Sequence, residues 1–268
     1  MKRNMSIFNN TGVSETIGFV LILGIVITGI GLVTLYGYPV LLQQQQNANV
    51  KNMEKNMIVL QNDIKGLAYR NVPYTETTMQ ISGGTLQVIR PNPTVFPGNS
   101  RFIISSNGFS DIYTYYPGLL QFNSTSDTDI IGLQNGAVVT NGFSQTGGST
   151  MLSEPRWFLD TNQSGKRTLV ISIVNITSDY AISNSGGIRT VQMNISAGEP
   201  IDRQLAPNTQ VYVQYLDNGE GYQTAWKNYF LNQQLFPDSY LDPNTIKMTA
   251  YHVDRLVIKT CNVTILNL

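Results

Sequence analysis

The stretch IGFVLILGIVITGIGLVTLYGY, residues 17–38, carries no charged side chain and decides the architecture. A helix rises about 1.5 Å per residue, so roughly 20 apolar residues cross the hydrocarbon core of a bilayer, whereas a soluble helix needs only an apolar stripe. The sequence therefore predicts one membrane-spanning helix. Before it stand Lys2 and Arg3 with a single acid, Glu15. That basic flank predicts a cytoplasmic N-terminus and export of everything after the span. A cleaved secretory signal peptide fits less well, because its apolar region is shorter and ends in an A-x-A-like site.

Charged residues make up 13% of the chain and cancel to a formal net charge of zero. No basic field is available for nucleic acid. With one cysteine, Cys261, no internal disulfide can form. The exported part must stand on its own core, for which about 200 residues suffice.

Beyond the span the apolar residues Val50, Met53, Met57, Leu60, Ile64 and Leu67 are spaced 3-4-3-4-3 and fall on one helical stripe. Met53, Met57, Leu60 and Ile64 form a packing seam that needs a partner, either neighbouring helices or the protein's own exported domain. No Gly or Pro interrupts residues 40–65, so the helix is expected to continue to a point between Gly66 and Pro73. Pro39, next to Gly37, should kink or locally unwind it. Within the span, Gly18, Gly24, Thr28, Gly29 and Gly31 offer small surfaces, and Gly24 with Thr28 makes a small-xxx-small pair for close helix approach.

From residue 74 the period changes to two. In TTMQISGGTLQVI the Gly83-Gly84 pair predicts a two-residue hairpin that sets Ile81 opposite Leu86 and Met79 opposite Val88. Alternation at Val191, Met193 and Ile195, and again at Val211, Val213 and Tyr215, predicts strands with one buried face. Residues 168–177 are apolar on both faces and suit a central strand, and 256–266 reads as the last strand. TAWKNYFLNQQLFP predicts a short helix with Trp226, Tyr229 and Phe230 inward and Pro237 at its end. Segments 91–110, 122–128 and 141–150 read as polar surface loops. The fold class is α+β, a long N-terminal helix (span plus amphipathic stalk) followed by an antiparallel β-sandwich. The expected divisions are 1–12, a cytoplasmic leader; 13–70, the helix; and 71–268, the extracellular domain.

The run TGVSETIGFVLILGIVITGIGLVTLYG resembles the N-terminus of archaeal type IV pilins and pilin-like surface proteins, with Val13, Ser14, Ile17 and Gly18 on the family's VSxxIG. The resemblance is detailed over residues 1–70 and rests on the helix-then-β plan beyond them. Thr11 stands where the family commonly has a basic residue. The resemblance implies a class III leader cut by a prepilin peptidase between Gly12 and Val13, and assembly through the helix with copies of itself or other pilin-like subunits into an adhesive or structural filament. Cutting there would place a new α-amino group two residues from Glu15. Glu15 also suits the first turn of a helix, with Ser14 as its cap. The alternative is an uncleaved single-span surface protein that binds a ligand.

Asn-x-Ser/Thr sequons at Asn123, Asn162, Asn175, Asn194 and Asn262 are candidate glycosylation sites in the exported part, and Asn9 matches in the leader. No catalytic residue or cofactor is expected. His252 is the one histidine, read as structural within a strand, so no His-based metal site can form. Cys261 alternates with Val263 and Ile265 and reads as a buried thiol. Asp127 with Asp129, and Asp217 with Glu220, offer oxygen ligands for calcium, but neither pair follows an EF-hand loop.

Overall fold

The computed structural model describes residues 11–70, 72–91, 100–125, 129–142, 148–237 and 245–268, without the side chains of 11–14 and 70. The chain divides into two compact units, Met1–Ala48 and Asn49–Leu268.

In the first unit, α1 (Thr11–Leu32) passes through a π-helical turn (Val33–Gly37) into α2 (Tyr38–Arg70). The Tyr38 N–H reaches back five residues to the Val33 carbonyl. Pro39 explains this turn. It has no N–H for the Leu35 carbonyl and its ring crowds that oxygen, so the backbone widens just ahead of it. Because α1 already includes Thr11, Ser14 lies within the helix and is not its cap.

The second unit holds the rest of α2 and the strands. β1 (Tyr74–Ile89), β2 (Arg101–Ser106), β3 (Phe109–Tyr115), β4 (Leu119–Ser124), β5 (Asp129–Gln134) and β6 (Ala137–Gly142) come first. β7 (Thr150–Ser153), β8 (Phe158–Thr161), β9 (Arg167–Thr177), β10 (Ser183–Ala197), β11 (Ile201–Gln204) and β12 (Val211–Leu216) follow. After α3 (Gln223–Asn232) come β13 (Phe236–Pro237), β14 (Thr245–Ala250) and β15 (Arg255–Asn267). The large sheet runs β7-β6-β5-β4-β1-β10-β15-β9-β8, with β11 beside β15, and the small sheet runs β13-β14-β12-β2-β3. Every described pairing is antiparallel except that of β9 with β15.

The layers are α2, the large sheet, then the small sheet with α3. Val50, Met53, Met57, Leu60, Ile64 and Leu67 pack on one face of the large sheet with Ile81, Phe122, Leu133, Met193 and Val263. The other face, through Leu169, Ile171, Leu256 and Ile258, meets Phe102, Ile104, Val213, Tyr215 and the α3 aromatics Trp226, Tyr229 and Phe230. β9 is apolar on both faces because Val174 and Ile176 point toward α2 while Ile171 and Ile173 point toward the small sheet.

Several expectations are corrected. Gly83-Gly84 makes no hairpin. β1 runs straight through, and its register against β10 shifts between Ile81 and Thr85. Gly83 adopts φ +70°, and a Cβ on Gly84 would lie 2.3 Å from the Asn123 carbonyl oxygen. An irregularity there flips strand parity just as a turn would, so Ile81 and Leu86 are both buried either way. Residues 91–110 are not all loop, since β2 inserts Phe102 and Ile104 fully into the core. Likewise Phe122 and Ser124 are buried in β4, and Ser149 is buried. α3 stops at Asn232, with Gln234 at φ +59°, and Pro237 lies in β13. His252 is in an exposed turn at φ +56°, bonded through Nδ1 to Asn208 at 2.8 Å, and not in a strand.

Candidate functional site

Apolar side chains cover the span on every side and stay exposed, as at Phe19 (66%), Ile25 (71%) and Leu35 (70%). Its two threonine hydroxyls are satisfied within the helix itself. Thr28 Oγ1 donates to the Gly24 carbonyl at 2.7 Å and Thr34 Oγ1 to the Ile30 carbonyl at 2.9 Å. Such internal bonds suit a segment that meets no water. One helix among the described residues is thus long and apolar enough to cross a membrane. A Cβ on Gly24 would meet nothing within 4 Å, so its small surface is open. Gly12 and Val13 lie within α1, and Glu15, two residues further on, is exposed. Residues 1–10, with Asn9, lie outside the described residues.

The seam finds its partner inside the same chain. Met53, Met57, Leu60 and Ile64 are at most 1% exposed against the large sheet. Between Leu60 and Ile64 stands Gln61, also fully buried. Its Nε2 donates to the carbonyls of Gly136 (2.6 Å) and Glu154 (3.0 Å), while its Oε1 accepts from Ser153 Oγ. Asn56 Nδ2 adds a bond to the Gln80 carbonyl at 3.1 Å. The stripe pattern did not single out Gln61. A polar residue one step off an apolar seam was the available signal.

The sequon asparagines differ in what their side chains already do. Asn123 Oδ1 accepts from Gln121 Nε2 at 2.8 Å. Asn162 Oδ1 accepts the backbone N–H groups of Ser164 (3.0 Å) and Lys166 (2.9 Å), closing a turn. Asn194 is exposed on β10. Asn175 and Asn262 are in register on β9 and β15, and Asn175 Nδ2 donates to Asn262 Oδ1 at 3.0 Å. In the last three the central sequon residue, Ile176, Ile195 or Val263, points into the core beneath α2.

Cys261 is buried on that same α2 side, and burial pushes its thiol up to about 11. The Asp217 carboxylate accepts the N–H groups of Gly221 (2.9 Å) and Glu220 (3.2 Å), and Glu220 accepts from Gln134 Nε2. Burial raises both acids, Glu220 to about 6. These carboxylates are therefore engaged by N–H donors. Asp129 lies in β5, and Asp127 is outside the described residues. Among the described residues no three His, Cys, Asp or Glu side chains gather as a metal site would require.

Residues 11–265 match a family of unknown function, DUF7289. The chain belongs to that family. The DUF7289 match takes in α1, α2 and all but the end of β15, so the apolar helix and the β-domain are parts of one family unit. An uncharacterized protein of Archaeoglobus fulgidus is 32% identical over 89 residues, covering 33% of this chain and 34% of that relative. The match thus spans about a third of the relative's length. No solved structure matches.

Proposed function

We propose that this protein is a pilin-like subunit of a cell-surface filament, assembled through its N-terminal helix, with its β-domain exported and available for adhesion. The observation that carries this reading is the division of the helical residues. The stripe from Val50 to Leu67 is consumed by the chain's own β-domain, whereas residues 17–42 expose apolar side chains with the small surfaces of Gly24 and Thr28 among them. A bilayer covers such a surface before assembly, and copies of the same helix, or helices of other pilin-like subunits, cover it afterwards. A prepilin peptidase cutting between Gly12 and Val13 releases the subunit from its leader, and the new α-amino group pairs with Glu15.

A second reading, an uncleaved single-span surface protein, is favoured by one feature, the run of α1 through Gly12 and Val13 without a break. Mass spectrometry of the native N-terminal peptide, with recovery of the protein in sheared surface filaments, separates the two. Val13 as first residue, together with filament recovery, is the expected result. An intact N-terminus in a protein retained in the membrane fraction favours the anchor.

A further inference from the structure

The face of the large sheet that holds the small sheet is not covered along its whole length. Ile171 and Ile173 of β9 lie under the small sheet, but two residues further on Asn175 reaches a cleft of about 270 Å³. Its lining includes Thr114, Tyr115, Tyr116, Asn175, Thr260 and Asn262. The walls are held firmly. On either side of Asn175 the β9 backbone is clamped, Val174 N–H by Asn135 Oδ1 at 2.9 Å and Ile176 N–H by the Pro117 carbonyl at 2.6 Å. Pro117 directly follows the two tyrosines, so the same bond fixes them beside the asparagines.

Asn175 and Asn262 both line this cleft and are engaged unequally. Asn175 gives its amide to Asn262 Oδ1, yet its own Oδ1 is buried without a hydrogen-bond partner. A buried acceptor left unpaired is costly, and such an atom calls for a donor. Asn262 is exposed, and its Nδ2 donates to no group among the described residues. Asn162 and Asn194 also have exposed side chains but line no such cleft with tyrosines.

We propose that Asn262 carries an N-linked glycan whose first sugar ring lies in this cleft, flanked by Tyr115 and Tyr116, with a ring hydroxyl donating to Asn175 Oδ1. The inference rests on the exported orientation given under Proposed function. In the transfer, Asn262 Nδ2 bonds to the anomeric carbon of a lipid-phosphate-linked sugar donor. The bond from that carbon to the phosphate oxygen breaks, the lipid phosphate leaves with the electron pair, and the amide nitrogen loses one proton. Asn175 acts as a positioning residue, because modifying its own amide would remove the bond that orients Asn262.

The test is peptide mass spectrometry on the full chain from its native host. The tryptic peptide 260–268 should carry a glycan on Asn262 and peptide 168–189 should be unmodified at Asn175. An unmodified Asn262, or a glycan on Asn175 instead, overturns the assignment. If Asn162 or Asn194 is then modified, or external protease cleaves the domain on intact cells, the orientation stands and only this site falls. If neither holds, the orientation falls as well. For the cleft, the native full chain in detergent should melt about 2–4 °C above Thr264→Ala, which destroys the sequon. Thr264→Ser, which keeps it, should melt with the parent, and the unglycosylated bacterial product corrects for the hydroxyl itself. In a Tyr116→Ala background the glycan-dependent shift should vanish. Its persistence at full size overturns the seating of the sugar.

Discussion

At the scale of single residues, Gln61 holds α2 to the sheet by polar bonds amid apolar contacts. Its amide meets two carbonyls and its oxygen meets Ser153. Gln61→Leu would strand the buried Gly136 carbonyl, while the Glu154 carbonyl keeps Lys65 Nζ at 3.0 Å, and should cost about 1–3 kcal/mol in urea unfolding of the full chain. A change under 0.5 kcal/mol would show that the apolar seam alone sets the register of α2. Glu220 supplies a pH signature. Burial lifts its carboxyl from 4.5 to about 6, so the folded state holds the proton more tightly than the unfolded state does. The resulting stabilisation is complete below about pH 4.5 and is lost as pH rises through about 6. Between those limits the parent should lose roughly 2 kcal/mol, and Glu220→Gln should lose much less over the same window. Equal losses in thermal melts of both proteins would mean that another group titrates.

At the scale of elements, the apolar stripe of α2 was legible because a helix facing a sheet keeps its period whatever the partner. The partner was not legible, since helices and a sheet both accept the same stripe. Leu60→Ala should cost about 2–5 kcal/mol through the cavity left against the sheet. Calorimetry of the domain melt reads this directly, and a shift near zero would displace Leu60 from the core. The misread turn at Gly83-Gly84 has a related cause, because alternation on both sides of a glycine pair does not distinguish a fold-back from an irregular strand that continues. The stronger turn signal was Asn135-Gly136, where both residues take positive φ (49° and 72°) between β5 and β6. β2 is hidden in sequence because its apolar run is only three residues, Phe102 to Ile104, between Arg101 and two serines. The cleft beside Asn262 was also beyond sequence reading. The sequon itself is local, but its walls come from β3, β9 and β15, which are neighbours only in space.

At the scale of the whole molecule, the two units make separable predictions. Gly24 touches nothing beyond its own helix, so Gly24→Leu should leave the melting of the β-domain unchanged while abolishing recovery of the protein in sheared filaments. Filaments at parental yield would remove Gly24 from the assembly surface. Protease added to intact cells should remove residues after 71, and their full protection until lysis would reverse the orientation.

The parallel pairing of β9 with β15 bears on the order of events in time. β15 lies between β9 and β10, third from the β8 edge of the large sheet, although β9 ends at residue 177 and β15 begins at residue 255. Contacts so distant in sequence make folding slow, and a ribosome or translocon delivers their second half last. Until β15 emerges, β9 and β10 lack a shared neighbour, and the surface that receives α2 is missing Val263 and Ile265. The seam of α2 therefore meets an incomplete surface until β15 arrives. Docking of α2 is therefore completed late, and the strand that completes it lies about 190 residues beyond the stripe it helps to cover, which ties the two ends of the domain into one cooperative step.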